Sequence, residues 1–230
     1  MALTLNTNID GMTTQAGLSI SGQRKSIAIQ RLGTGFRINT AKDDAAGLAL
    51  TDSIVSQVRG LAQARRNAND GISLAQTTDG ALLGITGQLQ RMRELIVQAQ
   101  NGENSPDLAA IQEGISQCTT EITRIATETS FNDILVLNGT LDSVTFQTGV
   151  TDEQHIAVAL PNVDATTLGL DKLDVSNLAA QTEGCQACID SAIDHVTSLR
   201  ATLGETQSRL LVTNASLGGG IADMATALAL

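Results

Sequence analysis

The sequence predicts a mainly α protein: an elongated antiparallel helical bundle with coiled-coil seams and a small β-hairpin region. Three observations carry that prediction. One apolar position recurs every seven residues at Ile54, Leu61, Ala68, Ala75, Leu82, Leu89 and Ile96. Val58, Ile72, Ile85, Met92 and Ala99 accompany it three or four residues away, so one stripe of a long helix faces a partner. A second run, Cys185, Ile189, Ala192, Val196, Leu199, Leu203, Thr206, Leu210, Thr213 and Leu217, alternates spacings of four and three without a break, the spacing of a coiled-coil seam. Finally, 42% of the 230 residues are hydrophobic, yet only three are Phe and none is Trp or Tyr. Narrow seams filled by Ala, Leu, Ile and Val need less aromatic volume than a globular core.

Taken in order, residues 1 to about 15 are Thr- and Asn-rich without a sustained period and read as weakly ordered in isolation. A helix is expected from Leu18 to Leu32, although Gly17 and Gly22 each lower its intrinsic stability by roughly 1 kcal/mol relative to Ala. Residues 1–36 therefore form an N-terminal helix region, and Gly33 and Gly35 break its pattern. The following core domain is expected over 37–217. Asn39, Thr40, Asp43 and Asp44 supply capping groups, and the two carboxylates suit the positive end of a helix dipole. The long helix spans about 45–100, a length of about 80 Å at 1.5 Å per residue.

Asn101-Gly102 and Ser105-Pro106 end that helix, and a second follows over about 107–130 on the seam Leu108, Ile111, Ile115, Cys118, Ile122 and Ile125. So short a connection makes it antiparallel to its predecessor. The period changes near Phe131. Ile134-Leu135-Val136-Leu137, then Asn138-Gly139, then alternation at Val144, Phe146 and Thr148 and at Ile156, Val158 and Leu160 predict a hairpin region over about 131–161. Residues 162–175 read as a loop, 176–217 as the last helix, and Gly218-Gly219-Gly220 as its stop, leaving 218–230 as a short Gly-rich tail.

The formal charge of −10 and pI near 4.5 argue against nucleic acid as a partner, since the densest basic cluster is only Arg65-Arg66. The opening MALTLNTNID lacks the basic and apolar regions of a conventional signal peptide, and no run approaches eighteen apolar residues, so no membrane span is expected. An export machine that reads an unfolded N-terminus would leave the same blank.

Cys185 and Cys188 form a C-x-x-C, which reads as seam thiols, a disulfide or half a metal site. It lies in a predicted helix without a βαβ unit, with only Cys118 besides, and His155 and His195 lack ligand spacing. No nucleophile elbow, phosphate loop, zinc-protease motif or dinucleotide fingerprint occurs. No catalytic residue, cofactor or metal is expected, and the chain does not read as an enzyme.

The stretch from Gln30 to Gly47, QRLGTGFRINTAKDDAAG, resembles bacterial flagellin. The resemblance extends in order through Asn6-Thr7-Asn8, the run from Arg66 to Leu82, Gln90-Arg91-Met92-Arg93-Glu94-Leu95, Thr129-Ser130-Phe131-Asn132, Ile193-Asp194 and Arg200 to Arg209. It implies a structural subunit of the flagellar filament, secreted by the flagellar type III export apparatus and added beneath a filament cap, with other flagellin subunits as partners. It implies further that Leu18, Ile20, Ile27 and Leu32 form a terminal-helix assembly face. Gln90, Arg91, Glu94 and Leu95 match a motif that meets neighbouring subunits or the flagellin-sensing Toll-like receptor.

Residues 162–175 stand where larger flagellins carry a variable outer domain. Two departures are visible: the chain stops at Leu230, where the family continues into a further helix that also serves the export chaperone, and Gly114 stands where the family often has an acidic residue. The first leads to the expectation that residues 1–36 are mobile in the monomer and that assembly improves beside an intact flagellin. It also supports a second reading, a secreted ligand or modulator that polymerises poorly.

Overall fold

The structure is a computed structural model and describes residues 8–100, 108–175 and 178–229. Its elements in chain order are α1 (Ile9–Thr34), α2 (Ala45–Ala99), α3 (Leu108–Glu128), β1 (Ser130–Phe131), β2 (Ile134–Leu135), β3 (Ser143–Gln147), β4 (His155–Ala159) and α4 (Leu178–Ala229). A 3-10 turn, Leu170–Lys172, precedes α4. The mainly α class expected from periodicity is the fold observed. The predicted connection at Asn101-Gly102 lies outside the described residues.

Two compact units emerge, Met1–Gln57 and Val58–Leu230. This differs from a boundary after residue 36, and the reason lies in α2: its seam carries no buried side chain before Ala64, so Ile54 is only half-buried.

In the first unit α1 starts at Ile9 rather than near Leu18, because the Asn8 carboxamide accepts from the Gly11 amide at 2.9 Å and caps the helix. Gly35, at φ 74°, takes the left-handed cap position and donates to the Arg31 carbonyl. The next turn is built by two adjacent carboxylates. Asp43 Oδ2 accepts from the Thr40 hydroxyl at 3.0 Å and the Thr40 amide at 3.2 Å, which holds its carboxyl below the usual range. Asp44 Oδ1 accepts from the Gly47 amide at 2.9 Å, capping α2 as its sequence position suggested.

In the second unit α2, α3 and α4 bury their seams together. Leu82, Leu89, Met92 and Ile96 meet Ile111, Ile115, Cys118 and Ile122 and the apolar stripe of α4 in one core. Asp79 with Arg200 at 2.8 Å, and Arg93 with Asp190 at 3.1 Å, run up one helix and down the other, so α2 and α4 are antiparallel.

The strands β3 and β4 pair antiparallel, with Val144 opposite Val158 and Phe146 opposite Ile156. Small residues of α2 receive this hairpin: a Cβ at Gly71 would lie 3.1 Å from the Phe146 ring, and one at Gly60 would lie 2.6 Å from Val150. Asn67 Nδ2 donates to the Gln147 carbonyl at 3.0 Å and pins β3 to α2.

Three local readings are corrected. Asn138-Gly139 is not the hairpin turn; β2 pairs with β1 across Asn132 and Asp133, both at positive φ, and the larger hairpin turns between Thr148 and Gln154. Val136 and Leu137 are instead buried core residues, and the Leu137 carbonyl accepts from Val163. Residues 162–175 are more than a loop, since Val163, Leu168, Leu170, Leu173 and Val175 are buried. Gln112 of α3 holds that segment by donating to the Leu173 carbonyl at 3.2 Å and accepting from the Val175 amide at 2.9 Å.

The third correction concerns Gly218-Gly219-Gly220, which do not stop the last helix: α4 continues to Ala229, so 218–230 is not a separate tail. Propensity costs about 1 kcal/mol per Gly, but tertiary contacts override it. Leu217 is buried, positions 218 and 220 lie beside Arg65 and Leu61, and Arg65 Nε donates to Asn214 Oδ1 at 3.1 Å.

Candidate functional site

The side chains singled out from sequence fall on two surfaces. On α1, Leu18, Ile20, Ile27 and Leu32 are all exposed, Leu18 at 74% and Leu32 at 86%. They do not form one face. At 3.6 residues per turn, Ile20 and Ile27 share a stripe with Ile9 and Met12, whereas Leu18 and Leu32 lie with Ile29 about 180° around the helix. No α1 residue is buried. Ile9 and Met12 escaped the sequence reading because that reading started the helix too late, whereas Ile29 lay inside the expected helix and was passed over.

The second surface lies on α2. Gln90, Arg91 and Glu94 are exposed, but Leu95 is half-buried and packs against the core, so it is a flank of the surface rather than part of its outer face. Among the described residues neither Arg91 nor Glu94 is in an ion pair, whereas Arg93 reaches Asp190 of α4. The register of α2 against α3 is readable from glycines. A Cβ at Gly114 would sit 3.1 Å from Leu95 Cδ1, and one at Gly84 would sit 3.6 Å from Ile125 Cδ1. One turn back along α2 from Leu95, and one turn on along α3 from Gly114, this register sets Arg91 opposite Cys118. Burial pushes the Cys118 thiol above its ordinary value; the Arg91 guanidinium beside it opposes that, by its charge and as a hydrogen-bond donor.

No concentrated chemistry accompanies these surfaces. Cys118 and Cys185 are buried, Cys188 is exposed, and all three are free thiols. Burial raises the Cys185 thiol, which points toward the Asp174 carbonyl at 3.9 Å. Among the described residues no group of three His, Cys, Asp or Glu is placed to hold a metal ion. A groove of about 610 Å³ between the β3–β4 hairpin and α4 is lined by Thr148, His155, Arg209, Val212 and Leu217 among others, while His195 lines a separate one. Among the described residues no helix is long and apolar enough to cross a membrane.

Comparison with known proteins gives these surfaces a context. Residues 5–142 match the bacterial flagellin N-terminal helical region. A flagellin of Xenorhabdus nematophila is 47% identical over 176 residues, 76% of this chain and 56% of that protein. One from Serratia marcescens is 46% identical over 182 residues, 79% of this chain and 52% of the relative. The chain thus spans about half the length of these curated relatives. The crystal structure of Bacillus cereus flagellin superposes with a TM-score of 0.59 at 28% identity, covering 66% of this chain and 88% of that one.

Proposed function

The chain belongs to the bacterial flagellin family, and on that premise we propose that it is a structural subunit of the flagellar filament. One observation carries the reading: α1 bears apolar stripes on two opposite sides and buries neither. A helix that is apolar on both sides is a helix to be covered on both sides, because most helical stability in proteins comes from packing an apolar face. Other flagellin subunits are the partners that cover it. The subunit is exported by the flagellar type III apparatus, added beneath the filament cap, and works outside the cell. Its work is contact along helical faces, and no catalytic residue or cofactor is assigned to it.

The test is pelleting followed by negative-stain microscopy, with the protein alone and mixed with a full-length flagellin. Incorporation into filaments under either condition supports the reading; none under both overturns it.

A second reading rests on the exposed Arg91 and Glu94. A guanidinium free of carboxylates beside a half-buried Leu is the composition of an interface anchor. We infer that this surface meets neighbouring subunits and the flagellin-sensing Toll-like receptor. A receptor reporter that responds equally to wild type and Arg91→Ala removes the receptor from the partners.

A further inference from the structure

Asn138-Gly139 has the sequence of a hairpin turn and does not make one, so the pair is left without that role. Among the described residues Asn138 alone is an Asn followed by Gly. Its side chain is folded back along the main chain, where Oδ1 accepts from the Thr140 amide at 3.0 Å, an Asx turn. That ring lays the carboxamide carbon, Cγ, over the peptide bond joining Asn138 to Gly139. Gly139 is exposed, at φ 72°, and has no Cβ to shield its nitrogen. No described residue accepts from the Gly139 amide. The related pair Asp70-Gly71 lies inside α2, where the helix ladder engages the corresponding amide.

We propose that Asn138-Gly139 is a self-modification site, at which the folded chain converts the Asn138 amide to an acid without an enzyme. The Gly139 N–H gives its proton to water or hydroxide, and the nitrogen attacks Asn138 Cγ. Negative charge then develops on Oδ1, the atom that already faces the Thr140 N–H, and that donor stabilises it. The Cγ–Nδ2 bond breaks, ammonia leaves with a proton from water, and a five-membered succinimide closes between residues 138 and 139. Water opens the ring at either carbonyl, to Asp or to its isomer linked through the side-chain carbon. Neither step is a redox step, and each product carries one new negative charge.

The fold accommodates the Asp product, whose carboxylate keeps the bond from the Thr140 amide and makes it charge-assisted. The isomer adds a methylene to the main chain just after Leu137, which is fully buried and accepts from the Val163 amide at 3.1 Å. Asn162 closes the other side, since a Cβ at Gly139 would lie 2.9 Å from the Asn162 Cβ. A charge gained with time at one fixed place distinguishes an old copy of the chain from a new one, and the chemistry does not depend on the filament reading.

The experiment is peptide mapping by mass spectrometry of the full chain, incubated folded and in urea at mildly alkaline pH. Conversion at Asn138 is expected in the folded chain at least as fast as in the denatured one, ahead of every other described Asn, and faster as pH rises, because the Gly139 amide must lose its proton. Asn138→Gln, which would have to close a larger ring, should abolish it. Thr140→Pro removes the amide facing Oδ1 and should slow conversion about fivefold in the folded chain, the rate equivalent of one ordinary hydrogen bond, with the denatured rate unchanged. Circular dichroism shows whether each variant is folded; should Thr140→Pro not fold, the folded-to-denatured comparison of the wild type decides alone. Conversion confined to the denatured chain, with Asn138 intact in the folded one, overturns the proposal. Equal rates in the folded wild type and folded Thr140→Pro overturn it as well, since the turn would then contribute nothing.

Discussion

The helices α1 and α3 carry apolar side chains of the same kinds in similar number and meet opposite fates. In α3, Ile111, Ile115, Cys118, Ile122 and Ala126 fall on one stripe and every one is buried. In α1, Ile9, Met12, Ile20 and Ile27 share one side, Leu18, Ile29 and Leu32 the other, and none is buried. Placement around the helix, more than the amount of apolar surface, decides whether a helix is satisfied inside its own chain. A single stripe needs one groove. Two opposed stripes need two surfaces to cover them.

The largest expected effect separates the two helices most sharply. Leu89→Asp or Ile115→Asp places a carboxylate in the fully buried seam and should cost several kcal/mol, read as a collapse of the thermal transition in circular dichroism. The same substitution at Leu18 or Ile27 should leave the monomer's transition within a degree or two, about 0.5 kcal/mol at most, and yet abolish pelletable polymer. If both α1 variants still form filaments, neither stripe is an assembly face.

Glycines give the next contrast. Gly71→Val overpacks the place where α2 meets Phe146 and Leu210 and should lose about 1–3 kcal/mol. Gly22 of α1 has nothing within 4 Å of an added Cβ, so Gly22→Ala should instead raise helicity, by about 1 kcal/mol of local propensity. Circular dichroism at the helical minimum would show opposite signs for the two; equal signs would mean that α1 is packed.

Charge effects are smaller. Removing the Asp79–Arg200 pair by Arg200→Ala should cost no more than about 1 kcal/mol and less in high salt, because both side chains are about a third exposed. The smallest effect concerns Asp43, whose carboxyl is depressed first by the Thr40 hydroxyl. A depressed carboxyl contributes stability above its unfolded value and loses it as pH falls through its folded one. The Thr40 amide resonance should therefore move only below the ordinary Asp range, and Asp43→Asn should remove that titration while leaving the second unit untouched. A Thr40 titration unchanged in Asp43→Asn would assign it to another group.

Much of this architecture was legible as spacing. The seven-residue recurrence through Leu82 and Leu89, and the four-three alternation from Cys185 to Leu217, report which side of a helix is buried, because burial follows the helical period. That a cap of α2 lies among Asn39, Thr40, Asp43 and Asp44 was equally readable, since a cap is satisfied by amides a few residues away, and the structure selects Asp44. Arg91 and Glu94 were singled out by the resemblance to flagellin rather than by spacing, and both are exposed.

What spacing does not encode is which stripe meets which, and there the tertiary structure decided. Gly218 to Gly220 oppose a helix by a few kcal/mol at most, a local preference that Leu61, Arg65 and Asn214 outweigh only because α2 runs antiparallel beside them. Residues 162–175 show no period, so only their docking under Gln112 reveals Val163, Leu168 and Leu173 as core. Cys118 read as one more seam residue; that its position falls opposite Arg91 depends on the register between two helices, a distance property that no local pattern carries.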